Sequence, residues 1–150
     1  MAQHVKGIHP SGRKGLGKAK ATKVMEEDWD TLIILDACRY DFFEKVYTDY
    51  LLSGKLEKRI SQGSGTVEWL KNNFPAKYAV TYISANPFVN SYGLSLGRLH
   101  EHCKSSWKAT EHFSKIIDVW DFGWDEKLCT VPPTEVRTRL ILPTKTATGK

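Results

Sequence analysis

Apolar residues recur with two different periods along this chain, and the switches between them mark its elements. In "DTLIILDACRYDFF" the unbroken run Leu32 to Leu35, with its two isoleucines, stops at Asp36. A short continuous run of this kind predicts a strand covered on both faces, as in a parallel sheet. Directly afterwards Tyr40, Phe43, Val46, Tyr47 and Leu51 return at helical spacing, so a helix is expected over about Arg39 to Leu52, closed by Ser53 and Gly54. A second strand is expected over Lys55 to Ile60. A third follows at Tyr78 to Ile83 in "KYAVTYISANPF", and a fourth at about Lys115 to Val119 in "SKIIDVWDFGWD". Pro132 and Pro133 introduce a helix over Thr134 to Leu142, while Asn86 to His112 reads as a long irregular insertion or a short helix flanked by loops. Strands alternating with helices predict an α/β sandwich with a mainly parallel sheet.

The stretch "SQGSGTVEWLKNNF", Ser61 to Phe74, changes character at Thr66. Before it stand Gly63, Ser64 and Gly65; after it Val67, Leu70 and Phe74 fall on one helical face. Thr66 therefore sits at or beside a helix start, and two roles are open. Its hydroxyl can cap the helix by accepting the Trp69 N–H. Alternatively, an alcohol at a positive helix end, with backbone N–H groups nearby, can attack a phosphorus or sulfur centre while those groups hold the developing anion. Asp36, at the C-terminal end of its strand, has an equally double reading. It can hold a divalent metal that lowers the pKa of a nearby hydroxyl, or it can cap the next helix or pair with Arg39.

Composition narrows the field. The chain has 150 residues, one domain's worth, and no stretch approaches the roughly 20 apolar residues of a membrane span. With no apolar secretion signal behind the basic N-terminus, a cytoplasmic location is expected. Three cysteines without a C-x-x-C pair indicate free thiols rather than a disulfide framework or zinc knuckle. The net charge of +5 suggests nucleic acid until it is located: the six lysines and arginines ahead of Glu26 carry all of it, leaving the remainder at −1. Residues 1–24 read as a flexible basic tail too poor in apolar side chains to be anchored, and 25–150 as the α/β domain. Such a tail makes weak contacts with acidic surfaces, and no aromatic residues are interleaved for base stacking. Within it Gly12, Gly17 and Lys18 match a phosphate-loop spacing by coincidence, because Ala19 stands where a hydroxyl must hold magnesium and no strand precedes.

Four blocks, "LIILDACRYDFF", "RISQGSGTVEWLKNNF", "YISANPFVNS" and "IIDVWDFGWDEKLCTVPP", taken in order over about Asp30 to Leu142, resemble the N-terminal half of sulfatase-like hydrolases of the alkaline phosphatase superfamily. The resemblance implies a partial alkaline-phosphatase-like fold, a three-layer sandwich. It implies metal-dependent hydrolysis of a phosphate or sulfate ester, with Asp36 as a metal ligand and Thr66 as the metal-bound nucleophile. The metal would be Zn, Mg, Ca or Mn. Asn86 and Asn90 become candidates for substrate contact, and Arg39 for anion contact. Cys38 and Cys103 do not occupy the place of a modified sulfatase cysteine, which leaves the threonine chemistry. The family's Asp-His-Gly ligand motif is absent, and His100, His102 and His112 lack the pattern to replace it. The chain is therefore expected to be inactive alone. It would act with a complementary C-terminal half, or else serve as a non-catalytic interaction module for such a half or an acidic partner.

Overall fold

A computed structural model describes residues 3–5, 23–36, 38–50, 56–57 and 59–141. The chain divides into two compact units, Met1–Asn73 and Phe74–Lys150.

In the first unit, β1 (Gln3–Val5) pairs antiparallel with β2 (Ile33–Leu35), with Gln3 opposite Leu35 and Val5 opposite Ile33. This corrects the expectation for the strand before Asp36. Its partner is a strand from the N-terminal segment, and a two-stranded ribbon cannot cover both faces, so Ile33 is 52% exposed and Ile34 and Leu35 are half-buried. Helix α1 (Tyr40–Tyr50) and helix α2 (Thr66–Asn73) form where the helical periodicity predicts them. The expected strand over Lys55 to Ile60 is absent among the described residues, which are irregular apart from a single bridging residue at Ile60. There Arg59 pairs with Glu57 and, at 3.3 Å, with Glu27. Only Leu56 and Ile60 are apolar in that stretch, too few to define a strand face.

The core of this unit is Val24, Trp69 and Leu70, joined by the buried Asn73. The Val24 N–H donates to Asn73 Oδ1 at 3.0 Å, the Asn73 amide donates to the Trp69 carbonyl at 2.9 Å, and Trp29 Nε1 donates to the Val24 carbonyl at 2.8 Å. The expected tail lies outside the described residues except for Gln3–Val5, Lys23 and Val24. Val24, which the sequence places at the end of that tail, is fully buried.

In the second unit, β3 (Tyr78–Ser84) and β4 (Phe113–Asp118) pair in parallel, as their sequence pattern predicts. The register runs from Thr81 opposite Lys115 to Ser84 opposite Asp118, with an irregularity between Tyr78 and Thr81. Their connection carries two single-turn helices, α3 (Leu96–Leu99) and α4 (Ala109–His112). After β4 come the short α5 (Val119–Phe122) and α6 (Pro133–Ile141). The core is aromatic. The Phe113 ring lies 4.9 Å from Phe74 and 4.7 Å from Tyr82, and Trp107 Nε1 donates to the Phe74 carbonyl at 3.2 Å. His112 stacks on Trp107 at 4.7 Å with Nδ1 2.9 Å from the Ala76 carbonyl, a packing role. The architecture is α/β with a small parallel two-stranded sheet. Cys38, Cys103 and Cys129 are free thiols, and no helix among the described residues is long and apolar enough to cross a membrane.

Candidate functional site

The turn before Thr66 is built from small hydroxyl and glycine residues that fold onto the helix they introduce. Ser61 Oγ donates to the Gly63 carbonyl at 2.8 Å and accepts the Gly63 N–H at 3.3 Å. Gly63 passes so close to α2 that a Cβ there would lie 2.4 Å from the Trp69 backbone nitrogen, which only glycine tolerates. The Trp69 N–H donates to the Gly65 carbonyl at 2.9 Å, so Gly65 is the cap residue and Thr66 the first residue of the helix. The capping role for Thr66 is thereby corrected. Instead Glu68, three residues past the cap, reaches back and accepts both the N–H and the hydroxyl of Ser64, each at 2.8 Å. Thr66 is half-buried, and among the described residues its hydroxyl has no hydrogen-bond partner.

The two Ser64 bonds hold the Glu68 carboxyl below the usual carboxylate range, with a smaller contribution from Lys71. Since the folded pKa is lowered, the stabilisation is present above the ordinary carboxylate pKa and is lost as pH falls through the folded one. Thermal melts across the acid range should therefore show Glu68→Gln less stable than the parent at neutral pH, with the two curves converging under acid. Parallel curves at all pH values would rule the cap out.

Asp36 is exposed, on the turn that follows β2. It does not pair with Arg39, whose guanidinium is bonded to the Asp41 carboxylate through Nε at 3.0 Å and Nη2 at 2.6 Å and lies over the Phe42 ring. That fork raises the Arg39 pKa and lowers that of Asp41. An anion approaching Arg39 must compete with a carboxylate already in place. No hydrogen bond joins Asp36 to Thr66 among the described residues. Nor do any three His, Cys, Asp or Glu residues among them form a group able to hold a metal ion. One carboxylate and one alcohol fall short of the roughly four ligands of zinc or six of magnesium, so these residues by themselves do not fit the implied metal.

Asn86 and Asn90 belong to the second unit, in the loop leaving the carboxyl end of β3. Asn90 is 1% exposed, with Oδ1 accepting the Leu94 N–H at 3.0 Å and Nδ2 donating to the Pro87 and Leu94 carbonyls at 3.2 Å each. Its carboxamide is engaged by its own loop, so a substrate contact there would have to displace these bonds. Asn86 remains available in part: Oδ1 accepts the Phe88 N–H at 3.0 Å, while its amide nitrogen has no partner among the described residues. Periodicity gave no warning of the roles of Glu68 and Asn73. For Glu68 a signal existed in the three-residue spacing from Gly65, once glycine is admitted as a cap. Protein-family profiles, curated protein sequences and solved structures offer no match to this chain.

Proposed function

We propose that this chain is the N-terminal part of a sulfatase-like hydrolase of the alkaline phosphatase superfamily. Its two units would belong to a three-layer sandwich with a mainly parallel sheet, working in the cytoplasm on a phosphate or sulfate ester. The observation that carries the reading is the Thr66 hydroxyl, unengaged on the first turn of α2 behind a glycine turn, with the capping duty taken by Gly65 and Glu68. In this reading Thr66 Oγ1 attacks the phosphorus or sulfur as its proton is lost to solvent, the ester's alkoxide departs and takes up a proton to leave as the alcohol, and water then cleaves the Thr66 ester, releasing phosphate or sulfate and restoring the hydroxyl. The first-turn N–H groups lie beside the developing anion. Asn86 and Asn90 enter the reading as substrate contacts through the resemblance alone, and Arg39 takes part only if the anion displaces Asp41. A divalent metal belongs to the proposal through the resemblance, with Asp36 and Thr66 as ligands and the missing donors supplied by a complementary C-terminal half.

The purified chain alone is expected to hydrolyse 4-nitrophenyl phosphate and 4-nitrophenyl sulfate no faster than buffer. Added to a polypeptide carrying the family's Asp-His-Gly half, it should give turnover that chelator removes and that Thr66→Ala and Asp36→Ala each abolish. Turnover surviving Thr66→Ala would sink the nucleophile, and turnover by the chain alone would sink the incomplete site. Absence of turnover in both conditions favours a second reading, a non-catalytic interaction module. The feature pointing that way is the exposed apolar pair Phe42 and Val46, one turn apart on α1 and 61% and 43% exposed.

A further inference from the structure

The loop after β3 combines a rigid base with a lightly held tip. At the base, the single buried carboxamide of Asn90 bonds the backbone of Pro87 and both backbone polar groups of Leu94, so the chain leaves and returns at one fixed point. Between those anchors lie Ser91, Tyr92 and Gly93, and Gly93 has φ +72°, a left-handed conformation suited to a hinge. Ser91 is exposed and Tyr92 is 59% exposed, in contrast to Val89 and Asn90 just before them, at 2% and 1%. The ties on the tip all reach the segment that ends β4 and forms α5. The Ser91 N–H lies 3.1 Å from both Asp118 carboxylate oxygens, and the Tyr92 hydroxyl donates to Asp121 Oδ2 at 2.8 Å. The Tyr92 ring also meets Trp120 edge-on at 5.9 Å. Hydrogen bonds at the surface open at the lowest cost in a fold, whereas those of Asn90 are sealed from water.

We propose that Ser91–Gly93 is a flap that swings on the Asn90–Leu94 clamp and is latched shut by Asp118 and Asp121. Asp118 ends β4, so the latch sits at the carboxyl end of the parallel pair. This inference is independent of the proposed hydrolase chemistry and stands or falls without it.

Amide hydrogen exchange on the full chain tests it. Asp118→Ala should lower the protection of the Ser91 amide by about ten- to hundredfold, the range for losing a hydrogen bond to a charged acceptor. The Leu94 amide, bonded to Asn90, and the Val89 amide, bonded to the Asn86 carbonyl at 3.1 Å, should keep theirs. Unchanged Ser91 protection overturns the latch, and equal loss at Ser91 and Leu94 overturns the clamp. Should Asp118→Ala loosen β4 itself, the exposed change Tyr92→Phe decides. Faster exchange confined to Ser91 supports the flap, and wild-type exchange there rejects it.

Discussion

Replacing Phe113 with alanine is expected to lower the stability of the Phe74–Lys150 unit by about 3–5 kcal/mol, the usual cost of emptying a buried phenylalanine site. Phe113 is 3% exposed and opens β4, where its ring meets Phe74, Tyr82 and Trp107 at centroid separations of 4.9, 4.7 and 6.2 Å. Large rings on several sides relax poorly into a void, so the cavity term adds to the lost burial. Edge-on aromatic pairs contribute about 0.5–1.5 kcal/mol beyond their area, and the substitution removes those with Phe74 and Trp107 together. The same residue positions the start of β4 against Tyr78, so the loss should also appear as faster amide exchange along the strand. Denaturant unfolding followed by tryptophan fluorescence gives the measurement. Leu128→Ala, at a side chain 62% exposed, serves as the control and should change stability by no more than about 0.5 kcal/mol. A loss below about 1 kcal/mol at Phe113 would mean the ring cluster is not the core of this unit.

What the sequence revealed and what it hid divide along a physical line. Where an element's own residues carry its period, as in α1, α2, α6 and the β3 and β4 strands, local pattern was enough. The parallel pairing of β3 with β4 agrees with the mainly parallel sheet expected from strands alternating with helices along the chain. Pairing across distant sequence was not legible: Leu32 to Leu35 has the same apolar run whether it lies inside a parallel sheet or in a ribbon with Gln3–Val5. Among the described residues of Lys55 to Ile60 no strand forms, since two apolar positions define no face and the charges tie Arg59 to Glu57 and Glu27. Polar roles were least visible of all. An asparagine looks identical in sequence whether it awaits a substrate, as was expected of Asn90, or is engaged by its own loop, as the structure finds. Thr66 was read as at or beside the helix start, and it proves to be the first helical residue, with Gly65 as the cap. That single residue separates a capping hydroxyl from an unengaged one.

Asn73 is where the second large effect is expected, and it concerns the unit that carries Thr66. Asn73→Ala should destabilise Met1–Asn73 by at least about 1–3 kcal/mol, the cost of one buried polar group left without its partner. The side chain is 2% exposed and joins two segments far apart in the chain: Oδ1 accepts the N–H of Val24, itself fully buried, and Nδ2 donates to the carbonyl of Trp69. Alanine strands the Val24 N–H where water does not reach it. The Trp69 carbonyl suffers less, because a carbonyl near a helix end has other routes to satisfaction. The neighbouring Asn72 supplies the contrast, since it is exposed and donates only to the Gln62 carbonyl, so Asn72→Ala should stay within about 1.5 kcal/mol. Amide exchange identifies the cause. The Val24 amide should lose its protection in Asn73→Ala and keep it in Asn72→Ala, and a destabilised Asn73→Ala with Val24 still protected would place the effect elsewhere. Because Asn73 ends the helix that Thr66 begins, its bond to Val24 anchors the far end of the element holding the candidate nucleophile. A mutation at the opposite end of the eight-residue helix from Thr66 should therefore loosen the first turn too, seen as faster exchange at the Trp69 amide that Gly65 holds.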